Sequence, residues 1–168
     1  YQLGGQPRAA IGFGVGLVHE LLSRAGLIEE PDELGPAATA VELLLERMAP
    51  SVPTDANPAK QLAWAMFGRI PVVYGHGIMT AVAHRWKTQL NENAKAWATW
   101  EPMPEANHNA IEGSLNPREL SDGLYVLQVR DADEPADAGD QPADVVSSSI
   151  SETSLMPASA DTPDGRLL

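Results

Sequence analysis

From Pro7 onward the apolar positions fall at helical intervals. Ile11, Val15, Val18 and Leu22 share one face, Ala25 follows closely and Gly26 offers a stop, so the spacing predicts a helix over 7–28. Gly12, Gly14 and Gly16 interrupt it. Each weakens a helix by roughly 1 kcal/mol relative to alanine, so their presence predicts close approach of another backbone or of a ligand. A second helix, over 37–48, carries Val41, Leu44, Leu45 and Met48 on one side. The run PSVPTDANP has turn chemistry. Its last two residues, Asn57 and Pro58, form a helix start: a capping side chain, then a residue whose missing N–H is no loss in the first turn. That third helix runs to Gly68.

The period then changes. In GRIPVVYGHG, residues 70–74 form a short apolar run bounded by glycines, which reads as a buried strand. Ile78, Val82, Trp86 and Leu90 return to helical register over 78–90. Strand, glycine turn and helix make half of a βαβ unit. Another strand is expected near 96–100, and LYVLQV at 124–129 is the clearest strand of the chain. Helices alternating with short apolar strands predict an α/β domain with a parallel sheet. The pattern divides the chain into a helical segment over 1–50, an α/β domain over 51–130 and a tail over 131–168.

Charge sharpens the last boundary. The chain carries a net charge of −12, and its last 38 residues, with nine acids and one base, hold −8 of it. That tail is rich in Asp, Pro, Ala and Ser, its apolar residues are too scattered to build a core, and disorder is expected there. The remainder is only mildly acidic, so composition shows no footprint for nucleic acid or an anionic membrane. The chain has no cysteine, which excludes disulfides, thiol nucleophiles and cysteine-bound metals. No apolar run reaches the roughly 18 residues of a membrane span. The first residue is Tyr1 rather than methionine, as expected of a processed product or a fragment.

Several stretches could carry chemistry. Gly75-His76-Gly77 is either a tight turn or, because backbone amides at a helix start attract anions, a place for a negative group of a substrate; Gly75 and Gly77 are candidate substrate-binding positions on the second reading. The run GFGVG at 12–16 only imitates a dinucleotide fingerprint, lacking the third-glycine spacing and a preceding strand. His19 and His84 lie on helical faces with no second ligand at short spacing, so no metal site is expected. SSSISETS at 147–154 has hydroxyls but no glycine to admit a phosphate, and reads as tail. The stretch NENAKAWATWEPMPEANHNAIEG at 91–113 sets Glu92 between two asparagines at a helix end and His108 between two more in a loop. A helix C-terminus does not favour a carboxylate. Hemmed in by AWATW, Glu92 would make a useful base; left in water it is an ordinary helix end. His108 is either an acid–base group or a turn residue.

The same residues carry a resemblance. The run RIPVVYGHG, the helix AVAHRWKTQLNENAK and the loop PEANHNAIEG resemble the second sugar-isomerase (SIS) domain of the bifunctional phosphoglucose/phosphomannose isomerases. GGQPRAA at 4–10 resembles the Pro-Arg-Ala segment between that family's two domains, and the likeness covers 4–129. It implies a SIS-type, Rossmann-like parallel-sheet sandwich. It also implies interconversion of glucose 6-phosphate or mannose 6-phosphate with fructose 6-phosphate through a cis-enediol, without cofactor or metal, in a cytoplasmic homodimer. By the resemblance Glu92 is the base that moves the proton between C1 and C2, His108 assists ring opening from across the dimer interface, and Arg8 stabilises the enediolate. Carboxylate, imidazole and guanidinium suit those tasks. The 16 residues from Glu92 to His108 are expected to leave room for a strand and turn that bring a helix end and a loop to one cleft at the carboxyl ends of the strands.

Two parts of the family pattern have no counterpart here. They are the first domain's Ser/Thr/Gly loop for the substrate phosphate and a closing helix with a lysine, since Lys95 is the last lysine. The chain is therefore expected to be the C-terminal part of such an isomerase. The other readings are a non-catalytic sugar-phosphate-binding or regulatory module of the same fold, and an acidic interaction domain acting through its tail.

Overall fold

The computed structural model describes residues 5–28 and 34–131; the acidic tail, for which disorder is expected, lies outside the described residues from 132 onward. Two compact units divide between Trp64 and Ala65. The first opens with a 3-10 turn, Pro7–Ala9, and helix α1, Ile11–Arg24. The chain turns out of α1 at Gly26, whose φ of 69° is the left-handed conformation that glycine adopts without steric cost. A methyl group at Gly12, Gly14 or Gly16 would meet nothing within 4 Å, so the close approach expected at these glycines is not made among the described residues. Helix α2, Leu34–Arg47, follows. A 3-10 turn, Thr54–Ala56, then leads to α3, Pro58–Met66.

Asn57 caps α3 as the sequence predicts. Its Oδ1 accepts from the Lys60 N–H at 3.1 Å and its Nδ2 donates to the Ala49 carbonyl at 3.1 Å. The residue is fully buried, so these bonds are what offset its desolvation. Lys60 Nζ donates to the carbonyls of Pro50 and Val52, both at 2.7 Å. The turn-rich linker is thus a held structure.

The second unit is a parallel sheet in the order β2-β1-β3, built from β1 (Ile70–His76), β2 (Thr99–Met103) and β3 (Leu124–Val129). Val72 of β1 stands opposite Thr99 on one side and Val126 on the other. As the central strand β1 is buried from residue 71 to residue 75, which is why it reads as an unbroken apolar run rather than an alternation. Val72 and Tyr74 point to one face, where they form a core with Met103, Ala106, Ile111 and Leu124. The other face carries Gly75 against helix α4, Met79–Gln89, whose Ala83 is fully buried. Across the sheet from α4 lie a 3-10 turn, Glu105–His108, and the short α5, Ala110–Ser114; α6, Arg118–Asp122, leads into β3. The predicted α/β sandwich with a parallel sheet is the observed architecture.

One strand sits elsewhere than expected. β2 begins at Thr99 rather than near residue 96, because the preceding residues complete the turn out of α4, and it runs on through Pro102 to Met103. Proline, lacking a donor, argues against a central strand but is tolerated at a sheet edge, and β2 is an edge of the described sheet.

The packing at Gly75 is directly testable. A β-carbon there would stand 2.7 Å from the Met79 carbonyl carbon and 2.9 Å from the Ala83 β-carbon. Gly75→Ala should therefore lower the unfolding free energy by about 1–3 kcal/mol, the usual cost of overpacking. Gly113→Ala, where a β-carbon meets open space, should be close to neutral; urea denaturation of the two variants measures the contrast.

Candidate functional site

Because β1 and β2 are parallel neighbours, the chain must return between them, and α4 makes that return. Thr80 Oγ1 donates to the Gly75 carbonyl at 3.1 Å and fixes the start of the helix on the end of β1. At its other end Asn91 Oδ1 accepts from the Ala98 N–H at 2.9 Å, tying the helix exit to the entry of β2. Between these anchors α4 passes into a π-helical turn, Leu90–Ala94, a geometry that is rare and frequent at functional sites. Glu92 lies in this turn and is exposed. The Ala96 N–H donates back to the Leu90 carbonyl at 3.3 Å. Lys95 takes φ 56° and ψ 21°, and its Nζ donates to the Glu92 carbonyl at 2.7 Å. Placing a residue with a β-carbon in that region costs on the order of 1 kcal/mol. The AWATW run does not close around Glu92 in this chain: Trp97 is itself 67% exposed.

His108 lies at the other end of the sheet. Met103 stands opposite His76, so the turn Glu105–His108 begins at the carboxyl ends of the strands, alongside Gly75, His76 and Gly77. His108 is exposed. The following Asn109 caps α5: its Oδ1 accepts from the Ala110 N–H and its Nδ2 donates to Glu105 Oε1 at 3.1 Å. The preceding Asn107 has its Oδ1 buried without a partner among the described residues. Glu92 and His108 are thus separated by the length of β2, five residues at about 3.3 Å each, or on the order of 15 Å. The single cleft expected from their spacing does not form within one chain. The intervening strand carries the backbone from the amino to the carboxyl end of the sheet instead of folding it back.

Of the remaining candidates, Gly75 and Gly77 share the end of the sheet that holds His108. Each has a local demand for glycine, Gly75 in its contact with α4 and Gly77 in a φ of 53°. Arg8 belongs to the first unit and lies, half-buried, on the turn Pro7–Ala9. His84 stacks on Trp100 with ring centroids 4.7 Å apart. Among the described residues no three His, Cys, Asp or Glu side chains gather to hold a metal ion, and no helix is long and apolar enough to cross a membrane.

These features define a parallel α/β domain with helices on both faces of the sheet. The chain belongs to the family of bacterial phospho-glucose isomerase C-terminal SIS domains, whose model matches residues 55–162. It is 33% identical over 131 residues to a bifunctional phosphoglucose/phosphomannose isomerase of Caldicellulosiruptor bescii, covering 77% of this chain and 39% of that protein. With the protein of the same description from Aquifex aeolicus it shares 33% identity over 130 residues, covering 77% of this chain and 37% of that one. The chain thus spans about two-fifths of the length of these curated relatives. The solved structure of a glucose-6-phosphate isomerase like protein from Thermus thermophilus has the same fold, with a TM-score of 0.56 at 23% identity over 79% of this chain and 42% of that one.

Asn91, Lys95 and Tyr74 shape this region without having stood out in the sequence. The available signal for Lys95 was a helix end without a glycine to turn it. Tyr74 is buried, and its hydroxyl titrates above the ordinary tyrosine value, chiefly because burial disfavours the phenolate and further because of the Glu101 carboxylate opposite it in register. A raised value means that the fold favours the neutral phenol. The corresponding stability is complete below the unfolded-state value of about 10 and is lost as pH rises through the folded-state value. The urea midpoint of the chain should therefore fall as pH is raised above about 10, and Tyr74→Phe should flatten that fall. Glu101→Gln should move the phenolate absorbance titration of Tyr74 back toward the ordinary range.

Proposed function

We propose that this segment is the C-terminal part of a hexose 6-phosphate isomerase that interconverts glucose 6-phosphate or mannose 6-phosphate with fructose 6-phosphate. Glu92 takes the proton from C2 of the open-chain aldose, whose C–H electron pair forms the C1=C2 bond as the carbonyl pair moves onto O1. The O2 proton then passes to O1, and the protonated Glu92 returns its proton to C1 as the C2–O bond becomes the ketone carbonyl. The Arg8 guanidinium balances the oxyanion, and His108 moves the proton of the ring oxygen during ring opening. Gly75, at the end of β1, and Gly77, in the turn from β1 into α4, take part through their backbone. The observation that carries this reading is the build of the turn around Glu92. An exposed carboxylate is displayed on a π-helical turn tied down on both sides, in a chain of the C-terminal SIS family.

The topology favours one arrangement of that site. With Glu92 and His108 at opposite ends of β2, a substrate that needs both must lie between two chains, with His108 supplied by the second copy of a homodimer. The regions meet if a two-fold axis brings the amino end of one sheet toward the carboxyl end of the other.

In an enzyme of the relatives' length carrying this segment, Glu92→Gln should lower kcat for glucose 6-phosphate isomerisation by about 10²–10⁴-fold, the range for loss of a general base. Unchanged activity would favour a binding or regulatory module instead. His108→Gln should also lower activity. Refolding the two inactive variants together should restore it, because each hybrid dimer holds one site with both native residues. Random mixing then gives about a quarter of the native rate. Absence of rescue would place Glu92 and His108 of one site in the same chain.

A further inference from the structure

We infer that Lys95 is a positioning residue for Glu92, its left-handed backbone and its ammonium together fixing the peptide that carries the carboxylate. The inference rests on the reading of Glu92 as the base. Among the described residues positive φ occurs at Gly26, Gly68, Gly77 and Lys95. The chain leaves α1 through Gly26 and α3 through Gly68, as the steric freedom of glycine predicts. It leaves α4 through a lysine. Glycine would make that turn without strain, so what distinguishes the position is something the lysine side chain supplies.

What it supplies is a donor. Nζ reaches back three residues to the Glu92 carbonyl at 2.7 Å. That carbonyl belongs to the last turn of the helix, where carbonyls lack partners from the helical ladder, and a charged donor satisfies it more strongly than a neutral one. The neighbouring residues are held as well, Leu90 by the Ala96 N–H and Asn91 by the Ala98 N–H. The backbone around Glu92 is thereby pinned on both sides. A base that must meet a carbon-bound proton gains from such preorganisation, since a misplacement of about 1 Å can cost on the order of 10²-fold in rate. The combination of local strain, a π-helical turn and a charged clamp on one peptide is the signature of a backbone held for function rather than for stability.

The two roles predict opposite outcomes for stability and rate. In an enzyme of the relatives' length carrying this segment, Lys95→Gly keeps the left-handed turn without strain but removes the ammonium, and Lys95→Arg keeps a cationic donor. With glucose 6-phosphate as substrate, Lys95→Gly should lower kcat about 10- to 100-fold, with KM changed little. Its thermal unfolding midpoint should stay at or above that of the native enzyme, and Lys95→Arg should recover most of kcat. Three results would overturn the inference: an unchanged kcat in Lys95→Gly, a kcat lost in step with the unfolding midpoint, or a KM that rises with kcat intact, which would make Lys95 a substrate contact. Glu92→Gln measured in parallel separates the two readings. Full activity in that variant removes the role of Glu92 itself, whereas an inactive Glu92→Gln beside a fully active Lys95→Gly removes only that of Lys95.

Discussion

At Gly75 the backbone of β1 and the first turn of α4 lie so close that a single added methyl group would collide with both Met79 and Ala83. This approach sets the second unit. It presses α4 flat on one face of the central strand and leaves the other face to Val72, Tyr74 and the core around Ile111. The parallel pairing of β1 and β2 then dictates the direction of the helix, which must end where β2 begins. The turn bearing Glu92 therefore lies at the amino ends of the strands and the turn bearing His108 at the carboxyl ends. The positions of both candidate groups are consequences of one glycine contact and one strand connection.

Much of this was legible in the residues because packing and local preference agree. The unbroken apolar run of β1 reflects burial on both faces, and the Asn57-Pro58 helix start is realised by the hydrogen bond from the Lys60 N–H to Asn57. Tertiary contacts shift β2 from the place its residues predict. The side chain of Asn91 captures the Ala98 N–H, which extends the turn at the expense of the strand, and Pro102 hides the part that pairs with Gly75. Short helices such as α5 and α6, five residues each, are too brief for a periodic signal to emerge from local sequence.

The site was legible in its residue types and not in its arrangement. Four asparagines bracket Glu92 and His108 in the sequence, and three of them do visibly different work. Asn91 stitches a helix end to a strand and Asn109 caps a helix, while Asn107 buries an acceptor that has no partner among the described residues. Sequence spacing is a scalar, and sixteen residues can either fold back on themselves or cross a sheet; the register of β2 against β1 decides for crossing. Lys95 was hidden for a different reason. Left-handed turns are anticipated from glycine, and a lysine in that conformation is visible only through its backbone angles.

On the proposed reading, catalysis and assembly become one equilibrium. A βαβ unit cannot bring the far end of its helix and the loop after its second strand to the same place, because the strand between them is a fixed spacer. An enzyme that uses both ends must borrow one of them from another copy. Each protomer then holds halves of two sites, exchanged by the two-fold axis, and an isolated protomer holds no complete site. A substrate that touches both halves binds the dimer and not the separated chains, so it stabilises the dimer by mass action, by about 2.7 kcal/mol per site at a hundred times its dissociation constant. The loss of active enzyme on dilution would then be opposed by the substrate itself, a coupling that arises from the length of one strand and requires no dedicated regulatory element.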